Sequence, residues 1–74
     1  MADSVIDCSG LACPMPIVKA SQGIKKISSG QTMEIIATDP AFKVDIEAWS
    51  NKTGNNLQSF KTEGDKLIAV VVKS

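Results

Sequence analysis

Two cysteines and two of the three prolines of this 74-residue chain crowd into one stretch, DCSGLACPMPI, at positions 7–17. Cys13 stands directly before Pro14-Met15-Pro16, and Cys8 lies five positions upstream. A thiol attacks as its thiolate, and a helix N-terminus raises the thiolate fraction by lowering the pKa. Pro14 disfavours the α conformation at the residue before it, so Cys13 is expected just ahead of a helix rather than within it. Pro14 and Pro16 both preset φ near helical values and lack an N–H. They stiffen the helix start at little cost, because the first N–H groups of a helix have no internal partner anyway. Met15 precedes Pro16 and is biased toward extended geometry, so the regular helix begins anywhere from Pro14 to Pro16. In this reading the Cys13 sulfur faces the positive end of a helix, with the N–H groups of Met15 and Ile17 as the nearby donors.

The chemistry follows from what is missing. The chain has no His. A Cys–His pair is therefore impossible, and cysteine protease or acyltransferase chemistry is disfavoured. A thiol that attacks, and is attacked, at sulfur needs no general base, and Cys13 suits that task. Cys8 continues an alternation with Ile6, so it reads first as a packing residue and second as an accessory or resolving thiol. A C-x₄-C pair with no His and no further Cys does not complete a zinc site, so no metal and no cofactor is expected.

Composition narrows the field. Eight Lys balance eight Asp and Glu, and there is no Arg. A nucleic-acid binder shows a basic excess, so no direct nucleic-acid partner is expected. Apolar residues make up 43% of the chain, enough for a folded domain, which we place over the whole of 1–74. No apolar run approaches the ~20 residues of a membrane span, and MADSVIDCSG lacks the basic and apolar parts of a secretory leader. The expected location is the cytoplasm, where a permanent disulfide is not expected.

The elements that must position Cys13 can be read from periodicity. SVIDC is β-like and ends at a turn marked by Gly10. Ile17, Ala20, Ile24 and Ile27 recur at helical spacing up to SSG at 28–30, with Gly23 weakening that helix by about 1 kcal/mol relative to Ala. TMEIIAT alternates, with Met33, Ile35 and Ala37 on one side. DPAFKVDIEAWSNKTG reads as a second helix, with Asp39 as N-cap, Pro40 at the first helical position and Gly54 at the C-terminal cap. Phe42, Ile46, Trp49 and Thr53 form its inner face. NLQSFKT and KLIAVVVK form a hairpin around Gly64. The order is β-α-β-α-β-β: an α/β fold with a mixed four-stranded sheet and both helices on one face. LIAVVV is apolar at consecutive positions, as in a central strand. The face away from the helices is either a contact surface or simply carries scattered apolar residues. Lys25 and Lys26 read as a solvated helix face, with docking of an acidic partner as the second reading.

The motif and its context resemble a known family. CPMP at 13–16 is similar to the Cys-Pro-X-Pro signature of the TusA-type (SirA-like) sulfur carriers. DCSGLACPMPIVKA resembles that family's first strand, loop and helix start, and ATDPAF…DIEAW its second-helix start. TGNNL and the closing hairpin fall in the family order, with Gly54-Asn55 where many members have Gly-His. The resemblance implies a two-layer α/β sandwich like the C-terminal domain of translation initiation factor three. It implies a sulfurtransferase-like relay in which Cys13 carries sulfane sulfur as a persulfide. The implied donor is a cysteine desulfurase or a rhodanese, and the implied acceptor another sulfur-relay protein. The competing reading is a dithiol redox or regulatory module that uses Cys8 and Cys13. A nucleic-acid role rests on fold analogy alone.

Overall fold

Alternation decides the sheet. In the computed structural model, which describes residues 4–12 and 14–74, Met33, Ile35 and Ala37 are fully buried while Glu34 and Ile36 between them are not. The elements are β1 (Ser4–Cys8), α1 (Met15–Ile24), β2 (Thr32–Ala37), α2 (Phe42–Thr53), β3 (Asn56–Glu63) and β4 (Lys66–Val72). The strands lie in the order β1-β2-β4-β3. β1 and β2 run parallel, joined through α1, and β4 is antiparallel to both its neighbours. Ile6, Ile35, Ala69 and Phe60 face one another in a row across all four strands. α1 covers β1 and β2, and α2 covers β3 and β4, so the expected two-layer arrangement with both helices on one face is what forms.

The core between the layers is built on Phe42, Met33, Ile35, Ile46 and Val71, all fully buried. Each such side chain contributes roughly 1.5–3 kcal/mol of burial. Pro16 and Cys8 belong to the same fully buried set. The open face of the sheet carries Val5, Ile36, Ile68, Val70 and Val72, of which Ile68 is buried among its strand neighbours. β4 is a central strand, yet one of its faces is covered only by side chains of the sheet itself.

Three details differ from the sequence reading. α1 ends at Ile24, four residues before SSG, where the Lys26 N–H bonds the Gly23 carbonyl at 3.0 Å and tightens the chain out of the helix. Ile27 still packs on the core from the turn beyond, which is why the apolar period runs past the helix. α2 starts at Phe42 with Ala41 at the N-cap position, not Asp39. Asp39 acts one turn earlier: its Oδ1 accepts from Ala41 N–H at 3.1 Å and its carbonyl from Phe42 N–H at 3.0 Å. On the inner face of α2, Ser50 is buried and Thr53 exposed, because Ser50 Oγ donates to the Asn55 carbonyl just past the helix. Gly54 is left-handed at φ 81°, as its place after the helix requires. Gly64 takes φ 62° with no positive φ at Asp65, the pattern of a type II′ hairpin.

Candidate functional site

Parallel β1 and β2 deliver their carboxyl ends to the same side of the sheet, and both helices begin there. That is where ligands of open α/β sheets are met, and Pro14, Met15 and Pro16 lie there at the start of α1. β1 leaves the sheet through a turn closed by the Leu11 N–H on the Cys8 carbonyl at 3.1 Å. Gly10 holds φ 81° at the third position of that turn, the type II geometry that favours glycine. Its N–H donates to Thr38 Oγ1 at 2.9 Å, which ties this loop to the end of β2. The Ser9 N–H donates to Asp7 Oδ1 at 3.0 Å. The Ser9 hydroxyl and N–H together hold the Asp7 carboxyl below the usual carboxylate range, with a smaller contribution from Lys66.

Pro14 and Pro16 divide the work at the start of α1. Pro14 is exposed and stands at the N-cap position with φ −98° and ψ 16°. Its carbonyl accepts from both Ile17 and Val18 N–H at 3.0 Å. Pro16, the second helical residue, is driven into the core. The Met15 N–H is taken by the Ala12 carbonyl at 2.9 Å. The two amides read from the sequence as free donors, Met15 and Ile17, are thus both engaged by the loop itself. What remains at the helix start is the field of the helix, and no acidic side chain in the first turn of α1 offsets it. Cys13 lies outside the described residues, and with it the expected place of its sulfur at the positive end of the helix.

Cys8 is fully buried at the end of β1, with Ala37 and Leu67 in register beside it. Burial pushes its thiol above the ordinary range; Lys19 offsets this in part and Asp7 adds to it. Of the predicted site residues, then, Pro14, Pro16 and Cys8 frame one end of the molecule, two of them from within the core. Next to Pro14 a shallow apolar hollow of about 300 Å³ runs between the helices, lined by Ile17, Ala48 and Trp49 and flanked by Asp45 and Lys52. Trp49 Nε1 donates to Ser21 Oγ at 3.0 Å and sets the spacing of the two helices there. Thr38 and Ser21 went unnoticed in the sequence. The parallel crossover was the signal for Thr38, since it brings the ends of β1 and β2 side by side. Among the described residues no group of three or more His, Cys, Asp or Glu side chains could hold a metal ion. Nor is any described helix long and apolar enough to cross a membrane.

A mixed four-stranded sheet under two helices, with a glycine turn and a proline-bounded helix start at one end, defines a small α/β sandwich of the SirA-like kind. The crystal structure of a SirA-like protein from Desulfitobacterium hafniense superposes with a TM-score of 0.82 over 93% of this chain and 95% of that one, at 14% identity. The chain belongs to the TusA family: the profile described as Sulfurtransferase TusA matches residues 4–73. The sulfur carrier protein TusA of Allochromatium vinosum is 43% identical over 72 residues, 97% of this chain and 95% of that protein. A relative in Aquifex aeolicus is 40% identical over 72 residues, but the chain spans only 36% of that protein's length.

Proposed function

We propose that this chain is a sulfur carrier that holds sulfane sulfur as a persulfide on Cys13 and passes it between partner proteins. One observation carries the assignment to Cys13. The chain has two cysteines, and Cys8 is fully buried with its thiol pushed toward the neutral form. A neutral thiol out of reach of solvent neither attacks nor is attacked, so sulfur chemistry falls to Cys13. The Cys13 thiolate attacks the terminal sulfur of a donor persulfide. The donor S–S bond breaks, its electron pair leaves on the donor thiolate, and a new S–S bond forms on Cys13. Oxidised sulfur changes hands with no net oxidation, and the reverse sequence unloads it onto an acceptor. Pro14 and Pro16 serve as accessory residues that keep the helix start rigid. The proposed donors are a cysteine desulfurase or a rhodanese, the acceptor a sulfur-relay protein, and the setting the cytoplasm, with the 1–74 unit acting as one carrier domain.

Burial of Cys8 disfavours the dithiol alternative. The test is to load wild type, Cys13→Ser and Cys8→Ala with a cysteine desulfurase and cysteine, then weigh the intact proteins. Alanine is used at Cys8 because a serine would bury a hydroxyl without a partner. Wild type and Cys8→Ala gain the mass of one sulfur, and Cys13→Ser gains none. Loss of loading in a folded Cys8→Ala variant would move the assignment to the dithiol module.

A further inference from the structure

Among the described residues β1 is an edge strand, with β2 on one side and no strand on the other. The opposite edge, β3, is defended. Its register slips between Leu57 and Ser59, and Lys61 and Glu63 form an ion pair along it at 3.3 Å. Bulges and edge charges are standard means of preventing a further strand from pairing. β1 has no bulge: Ser4 to Cys8 pair in unbroken register with Met33 to Ala37. It has no Pro or Lys, and its one charge, Asp7, is held by the Ser9 N–H.

Beside this edge runs a groove of about 300 Å³ between Ser4, Val5 and Ile6 of β1 and Lys19, Gln22 and Lys26 on the α1 side. Gly23 lets α1 lie this close, since a Cβ there would fall 2.3 Å from Ile6 Cδ1. The groove is basic on its helix side. Between Asp7 and Glu34 the sequence has three lysines and no acid. Among the described residues the one ion pair is Lys61 with Glu63, so Lys19 and Lys26 have no acidic partner there.

We propose that the outer edge of β1 is a strand-addition site for an extended acidic segment of a partner protein. The backbone of such a segment pairs with the open edge, and its alternate side chains divide between two faces. Acidic side chains on the helix side meet Lys19 and Lys26, and apolar ones on the other side continue the open face past Val5. Lys19 stands within α1 and Lys26 two residues past its end, and both line the groove. Same-face positions of a strand are about 6.7 Å apart, so more than one acidic side chain of the segment lies within reach of the two flexible lysine stems. A second copy of this chain is a poor occupant. Antiparallel pairing through β1 sets two α1 helices side by side and brings their lysines together. The site does not depend on sulfur transfer, and Cys13→Ser leaves it intact.

The probe is a blocked seven-residue peptide of alternating Val and Glu, added into the millimolar range to the ¹⁵N-labelled full chain at low salt. Binding shifts the amides of Ser4–Cys8 and slows their exchange, equally in wild type and Cys13→Ser. Lys19→Glu with Lys26→Glu, both exposed changes, weakens it by about tenfold or more. A peptide N-methylated at alternate residues, or one with Lys in place of Glu, does not bind. The proposal is overturned if β1 amides do not move, if only α1 or β3 responds, or if the N-methylated peptide binds equally well. Concentration-dependent β1 shifts without peptide would overturn it too, in favour of a second copy.

Discussion

Burial at the end of β1 pushes the Cys8 thiol above the ordinary cysteine range, ahead of the smaller opposing effect of Lys19. The consequence for stability has a definite sign. Below the unfolded value of about 8.5 both states keep the proton, and the buried thiol costs nothing. Above it the unfolded chain ionises while the folded chain does not, so stability falls as pH rises toward the folded value. In the Cys13→Ser background, the urea midpoint should fall between pH 7 and about 9.5, and Cys8→Ala should remove much of that slope. An unchanged slope would mean that Cys8 ionises as readily folded as unfolded. Cys13 should behave in the opposite way. It adjoins Pro14, the N-cap of a helix whose first turn holds no acidic side chain. Its alkylation by iodoacetamide, followed against pH in Cys8→Ala, should have a midpoint below the free value of about 8.5. With Met15 and Ile17 N–H already bonded, the cause is the helix field rather than direct donation. A midpoint at or above the free value counts against any activation.

At the scale of elements, α1 and β1 meet closely at Gly23, where any side chain has to displace the end of Ile6. A Cβ at Gly23 would lie 2.3 Å from Ile6 Cδ1 and 3.0 Å from Met33 Sδ. Alanine there gains up to about 1 kcal/mol of helix propensity but overpacks the interface, at about 1–3 kcal/mol. Gly23→Ala should therefore destabilise the protein on balance. Ile6→Val, which removes Cδ1, should be nearly neutral or stabilising in that background, although alone it costs about 0.5–1.5 kcal/mol. A double-mutant cycle by urea unfolding measures the coupling, and simple additivity would refute the contact. Much of this level was legible in the sequence. Met33, Ile35 and Ala37 announced β2, and Gly54 and Gly64 marked the end of α2 and the hairpin turn through the backbone angles they alone take easily. The end of α1 was not legible, because Ile27 keeps the apolar period after the backbone has left the helix. Nor was the occupancy of the Met15 and Ile17 amides, which depends on where the Ala12 and Pro14 carbonyls come to lie.

For the molecule as a whole, local patterns predicted a mixed sheet with β4 inside it. They did not say that its second neighbour is β2, because that pairing joins segments far apart in the chain, from Ala37 opposite Leu67 to Thr32 opposite Val72. The same arrangement ties one end of the sheet to the chain beyond it: Lys73 N–H bonds the Gln31 carbonyl at 2.9 Å, and Ser74 N–H bonds Asn55 Oδ1 at 3.0 Å. The order β1-β2-β4-β3 bears on how the chain is made. A ribosome delivers β1, α1, β2, α2 and β3 before the strand that must lie between β2 and β3. Until Lys66–Val72 emerges, those two strands flank a gap one strand wide, and the apolar face of α2 lacks half its floor. The parallel β1–β2 pair is itself a non-local contact, slow to form without that support. Translation therefore holds this chain unfinished to its last strand, and a nascent chain stalled before β4 offers chaperones and proteases an open sheet rather than a partial protein.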